Sequence, residues 1–164
     1  MTKRKLSSEQ ALEKLMSYCS KMERCRFDVR KKLYNWDVDS QKTDAIINKL
    51  VSLGFVNDQR YIESYIRGKF YYNKWGRVKI RYNLKLKGFE EADIIPALDL
   101  FFDGVDYEAM ILEQLIRKNK SITVEDEYLR KTKLIQFGQS RGYETELSLA
   151  CVDTIFENLS QQED

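Results

Sequence analysis

Apolar residues recur every three or four positions along most of this chain and almost never alternate with polar ones. That spacing lines one face of an α-helix, whereas a strand needs a period of two. Leu12, Leu15, Met16 and Cys19 mark a first helix, and Ser7 stands at capping-box distance from Gln10. Arg26 to Tyr34 predicts a second helix, with Val29 and Leu33 one turn apart. Ser40 to Leu53 predicts a third through Ile46, Ile47 and Leu50, stopped by Gly54. Asn57 and Asp58 cap a fourth that runs through Tyr61, Ile62, Tyr65 and Ile66 to Gly68. Trp75 and Gly76 open a fifth with Ile80 and Leu84, closed by Gly88. Asp93 is the expected cap of a sixth, with Pro96 in its first turn. Tyr107 to Lys118, Val124 to about Gly138 and Glu144 to Leu159 complete the set.

The helices fall into threes. Val29 and Leu33, then Ile46, Ile47 and Leu50, form one pattern. Ile80, Leu84, Gly88 and Phe89, then Ile94, Ile95 and Leu98, form a second. Leu134, Phe137, Gly142 and Tyr143, then Leu149, Val152 and Ile155, form a third. An offset of roughly 50 residues lies in the range of stacked supersecondary units. The expected fold is therefore all-α, with tandem three-helix repeats stacked into an elongated, curved array. Residues 1–55 would hold an N-terminal helix and the first repeat, 56–103 the second and 104–164 the third. Seven Gly and one Pro leave little material for hairpins, which argues against an all-β fold.

Charge changes the picture. Net charge is only +2, yet residues 1–90 hold 21 Lys and Arg against 10 Asp and Glu, while 91–164 hold 7 against 16. Between Glu63 and Glu90 there is no acidic residue at all. A solvated helix usually alternates charge sign, because like charges one turn apart repel. A uniformly positive run points to a partner that supplies the missing negative charge. Attraction between the two halves, or head-to-tail stacking of copies, would produce the same asymmetry.

Candidate contact residues follow from this window. Arg77, Arg81 and Lys85 recur every four residues on the fifth helix, with Ile80 and Leu84 about 60° away on the core side. Lys79 and Lys87 extend the charge to the sides, and Arg60, Arg67, Lys69 and Lys74 precede it. Arginine suits two-pronged contact with carboxylate or phosphate. Tyr71, Tyr72 and Trp75 are placed to stack on bases or to bury in a protein groove. Trp75 suits packing between repeats equally well, and Phe70 and Tyr82 are expected in the core. Arg24, Arg26 and Arg30 occupy the matching place in the first repeat, with Asp28 the one acid among them. Two equivalent basic faces would make a ridged positive surface.

Several functions find no support in the residues. Histidine is absent, so no imidazole base or Ser/His/Asp arrangement exists. No phosphate-cradling glycine loop appears. Cys19, Cys25 and Cys151 lack metal-ligand spacing and are expected as reduced, partly buried thiols. No apolar run reaches the roughly 20 residues that span a bilayer. The opening residues are basic but lead into a polar helix rather than a signal core. A cytoplasmic monomer without metal, cofactor or catalytic role is expected.

The segment Leu53 to Tyr61, LGFVNDQRY, resembles a signature of the RecX family of bacterial regulatory proteins. Trp75-Gly76, Ile80, Leu84 and Lys87-Gly88-Phe89 are similar to a second signature of that family, and Arg24, Arg26, Val29 and Leu33 to its first-repeat motif. The likeness spans most of residues 10–100 and is thinner beyond. Asn83 stands where the family usually has Glu, and Lys79 where Arg is common. The resemblance implies tandem three-helix repeats and a modulator of RecA, the recombinase that polymerises on single-stranded DNA. Family members bind the RecA filament, limit its extension and restrain its activity in DNA repair, recombination and the SOS response, and some bind DNA. The alternative that the residues leave open is a stand-alone helical DNA-binding module.

Overall fold

A computed structural model describes residues 5–162. Nine helices and no strand lie among the described residues. They are α1 (Ser8–Lys21), α2 (Arg26–Asn35), α3 (Ser40–Ser52), α4 (Asp58–Tyr71), α5 (Arg77–Leu86), α6 (Glu91–Asp103), α7 (Tyr107–Ser121), α8 (Glu127–Arg141) and α9 (Thr145–Gln162). Two compact units emerge. One comprises Met1–Tyr65 with Leu86–Phe89, the other Ile66–Lys85 with Glu90–Asp164.

In the first unit, α1 and α2 both pack on α3. Ala11, Leu15, Val29, Leu33, Ile47 and Leu50 are all sealed from solvent. Each buried Leu or Ile contributes about 1.5–3 kcal/mol relative to exposure. Local chemistry sets the helix ends. Ser7 and Gln10 exchange backbone-to-side-chain hydrogen bonds at 3.1 and 3.2 Å, the reciprocal cap that their spacing predicts. Asn57 Oδ1 accepts from the Arg60 amide at 2.8 Å and opens α4. Gly54 takes φ +79°, so that the Phe55 amide reaches back to the Leu50 carbonyl at 2.9 Å and closes α3. Tyr61 and Phe89 stack at 5.5 Å within this unit.

The second unit is built on α7, α8 and α9, which pack on one another. Ile80, Leu84, Ile94, Leu98, Ile111, Leu115 and Leu134 are fully buried in it. Phe70, Phe101, Phe102 and Tyr107 form an aromatic cluster with ring separations from 4.6 to 6.3 Å. Arg130 fastens the α7–α8 connection, donating to Asn119 Oδ1 at 3.0 Å, the Asn119 carbonyl at 3.1 Å and the Val124 carbonyl at 2.8 Å. The guanidinium fork thus adds a donor to the Asn119 carbonyl in the last turn of α7, which also accepts from the Ile122 amide, and supplies one to the Val124 carbonyl in the connection.

Several boundaries differ from the sequence expectation. The N-cap of α6 is Glu90, not Asp93, so Pro96 lies in the second turn instead of the first. α4 continues through Gly68 to Tyr71, because packing of Phe70 outweighs the propensity cost of one glycine, about 1 kcal/mol. α8 begins at Glu127 behind an Asp126 cap and ends at Arg141, three residues beyond the expected stop. Leu149, expected inward, is exposed, and Ser148 takes the buried position. A Cβ on Gly138 would come within 2.5 Å of the Ser148 hydroxyl, so α8 and α9 meet through two small residues.

Candidate functional site

The start of α5 is held by the turn between α8 and α9. Gly76 N–H donates to the Arg141 carbonyl at 2.7 Å, Val78 N–H to the Gly142 carbonyl at 3.0 Å and Arg77 N–H to Tyr107 Oη at 3.0 Å. These amides are the orphan donors of a helix start, and two carbonyls at a helix end and the Tyr107 phenol oxygen satisfy them here. Tyr107 Oη in turn donates to Glu144 Oε2 at 2.8 Å, and burial pushes its phenol well above the ordinary range. Tyr143 Oη donates to the Lys74 carbonyl at 2.6 Å, its pKa pushed up to about 12 by burial. The Arg141 guanidinium donates to the Asn73 carbonyl at 2.8 Å. Gly142 carries φ +82°, and a Cβ there would lie 2.5 Å from the Lys79 amide nitrogen. Two glycines, at 76 and 142, thus let two backbones touch.

That junction orients α5. Ile80 and Leu84 face inward as their spacing predicts, and the flank next to that edge carries the cations. The cations are not uncompensated, however. Arg77 pairs with Asp99. Arg81 Nε and Lys85 Nζ each lie 2.9 Å from an oxygen of Glu91. The acids missing from the 64–89 stretch are supplied by α6. Hydrogen bonding from Arg81 and then Lys85 holds the Glu91 carboxyl below its usual range.

Tyr82, expected in the core, is 62% exposed, and Val78 one turn before it is 51% exposed. Both sit about 100–140° around the helix from Arg77, away from the Ile80 and Leu84 edge. With Arg77, Arg81, Lys85, Glu91 and Glu144 they line a groove of about 420 Å³. The sequence reading missed this apolar row, although Val78 and Tyr82 at four-residue spacing carry the signal. Asn83 donates from Nδ2 to the Lys79 carbonyl at 2.8 Å and stays on its own helix.

The loop before α5 gathers a second set. The ammonium groups of Lys69 and Lys79 lie 4.7 and 4.5 Å from the centre of the Trp75 ring. Lys79 Nζ also donates to the Ser140 carbonyl at 2.9 Å. Trp75 is half-buried, Tyr71 is exposed and Tyr72 is 89% exposed. Arg67 is exposed, and neither it nor Lys74 meets a carboxylate within 4.0 Å among the described residues. Lys74 adopts a left-handed φ of +56°.

In the first unit each basic candidate is engaged. Arg24 lies 4.1 Å from the Tyr18 ring centre. Arg26 pairs with Asp58 at 3.6 Å, Arg30 with Asp44 at 3.0 Å and Arg60 with Glu23 at 2.5 Å. Lys87, expected on an outer flank, turns inward to Asp28 at 2.9 Å, and their side chains are only 23% and 17% exposed. Burial raises the Asp28 pKa, but hydrogen bonds from Lys87 and the Cys25 amide outweigh it, and the net shift is downward. Cys19, Cys25 and Cys151 are free and buried, and burial raises the pKa of each thiol. No group of His, Cys, Asp and Glu suited to a metal lies among the described residues, and none of their helices is long and apolar enough to cross a membrane.

Comparison with known proteins gives a consistent picture. A family model described as RecX, second three-helix domain, matches residues 57–98. "Regulatory protein RecX" of Clostridium acetobutylicum is 29% identical over 136 residues, covering 81% of this chain and 63% of that protein. The Limosilactobacillus reuteri protein of the same name is 29% identical over 135 residues, covering 81% and 50%. That of Chlorobium phaeobacteroides is 27% identical over 134 residues, covering 82% and 85%. The chain thus spans between half and two thirds of the length of the first two. A crystal structure of regulatory protein RecX superposes with TM-score 0.79 at 25% identity, over 89% of this chain and 73% of that one. The crystal structure of RecX from Lactobacillus salivarius superposes with TM-score 0.73 at 25% identity, over 94% and 97%.

Proposed function

The chain belongs to the RecX family, and from that premise we propose that it is a non-enzymatic regulator that binds RecA-type recombinase filaments on single-stranded DNA. It limits their extension and activity in the cytoplasm. The observation that carries this reading is the α5 face, where Arg77, Arg81 and Lys85 stand in a row beside exposed Val78 and Tyr82. This face lies inside the segment that matches the second three-helix domain. Three repeats, at 1–55, 56–103 and 104–164, would present successive contact surfaces to a polymer. Binding that favours a filament end or a compressed filament shifts polymerisation, because only differential affinity moves an equilibrium.

The test adds the protein to RecA assembling on single-stranded DNA and measures filament length and ATP turnover. Shorter filaments and slower turnover are expected; no change in either refutes the reading.

A second reading is a helical module that binds DNA without the recombinase. Arg67, Lys74 and Tyr72, which meet no carboxylate among the described residues, favour it. Affinity for an oligonucleotide would then fall steeply with salt. Tight binding with such a slope and no recombinase binding would replace the first reading with this one.

A further inference from the structure

The groove beside α5 already holds a carboxylate. Glu91 is the first residue of α6, and each of its oxygens meets a different cation. Arg81 and Lys85 stand one turn apart on α5, so together they form a two-pronged receptor for one carboxylate. Both cations remain about half exposed, and an ion pair so exposed contributes little net stability. An outside anion can therefore displace Glu91 at little cost in stability. Next to the receptor, Val78 and Tyr82 offer apolar surface to solvent.

We propose that this groove docks an acidic side chain carried on an apolar segment of a protein partner, and that Glu91 is the resident that the partner's carboxylate displaces. The inference rests on the filament-binding reading above and specifies the chemistry of its contact.

Three features favour a protein carboxylate over a nucleic-acid backbone. First, the receptor is already shaped to a carboxylate, with one cation for each oxygen. Second, Glu91 and Glu144 both line the groove and Asp99 already pairs with Arg77, so three carboxylates stand against its three cations. A phosphate chain with a charge at every step would meet that repulsion repeatedly, whereas one incoming carboxylate need only replace Glu91. Third, Val78 and Tyr82 give an apolar segment something to cover, and tyrosine and arginine are enriched among the residues that carry protein–protein binding energy. A phosphate backbone gains nothing from the apolar side chain of Val78.

The experiment measures binding of the full chain to RecA filaments on single-stranded DNA, and separately to a labelled oligo-dT alone. The variants are Tyr82→Ser, Val78→Ser, Glu91→Gln and the double change Arg81→Gln with Lys85→Gln. Circular dichroism checks helix content, and Val78→Ser serves if Tyr82→Ser perturbs folding. Tyr82→Ser should weaken filament binding about tenfold while leaving oligo-dT binding unchanged. The double change should weaken filament binding at least as much. Glu91→Gln should tighten filament binding about two- to fivefold, since it removes a competitor held only by a surface pair. If the wild type binds filaments and Tyr82→Ser and Glu91→Gln bind them equally well, the inference falls and the functional reading stands. If Glu91→Gln instead tightens oligo-dT binding with a steeper salt slope, phosphate is the occupant and the inference is overturned. A wild-type chain that ignores the filament overturns both.

Discussion

A single methyl group at position 76 should undo the junction between α5 and the α8–α9 turn. A Cβ on Gly76 would lie 2.5 Å from the Gly142 carbonyl carbon and 2.6 Å from Tyr107 Oη. The Gly142 carbonyl is backbone, so no rotamer change relieves the contact. Moving the turn away stretches the 2.7 Å bond from Gly76 to Arg141 and the 3.0 Å bond from Val78 to Gly142. Each such bond is worth about 1 kcal/mol net. Residual overpacking adds about 1–3 kcal/mol. Reduced freedom of the unfolded chain returns about 0.4–1 kcal/mol. Gly76→Ala should therefore destabilise the second unit by about 2–4 kcal/mol, which lowers Tm by roughly 5–15 °C at this size. The control is Gly68→Ala, a helical site with nothing within 4 Å of its Cβ. That change should raise stability by about 0.5–1 kcal/mol. Urea unfolding followed by tryptophan fluorescence resolves the effect, because the chain has one tryptophan in each unit, Trp36 in the first and Trp75 in the second. Trp36→Phe isolates the signal from Trp75. If Gly76→Ala unfolds at the same urea concentration as the parent, the backbone contact does not hold α5.

Lys87→Met should cost about 1–3 kcal/mol at neutral pH, because it leaves the largely buried Asp28 carboxylate without its cation. Asp28 has a depressed folded-state pKa, so its stabilising contribution is complete above the unfolded value of about 3.9 and is lost as pH falls through the lower folded value. The gap between parent and variant in urea midpoint should therefore be wide at pH 7 and narrow in strong acid; a gap independent of pH contradicts the pairing. Arg130→Met removes three hydrogen bonds at the α7–α8 connection and should lower stability by about 2–3 kcal/mol, read from thermal melts. A loss below about 0.5 kcal/mol would mean that the Ile122 amide suffices for the Asn119 carbonyl and that the Val124 carbonyl finds another donor.

Much of the architecture was written in local pattern. The inward positions of Leu15, Leu33, Leu50, Ile80 and Leu84 follow from helical spacing alone, because burial of one face is what a 3.6-residue period encodes. Ser7 with Gln10, Asn57 before α4, and Gly54 after α3 act on residues within five positions of themselves, so their roles could be read from the string. The basic window between Glu63 and Glu90 was equally plain.

Its electrostatic meaning was not. Asp99 and Glu91 reach Arg77, Arg81 and Lys85 only because α6 folds back beside α5, and Asp28 reaches Lys87 across 59 residues of sequence. Coulomb energy depends on distance in space, and a count of charges along the chain is blind to it. The outward turn of Tyr82 was hidden for a related reason: an aromatic residue is inward or outward according to which helix face finds a neighbour, and that is decided by packing. Gly76 and Gly142 looked like ordinary helix punctuation 66 residues apart. Only the folded chain brings their backbones into contact, where the absence of a side chain on each permits the hydrogen bonds that fix α5 in place.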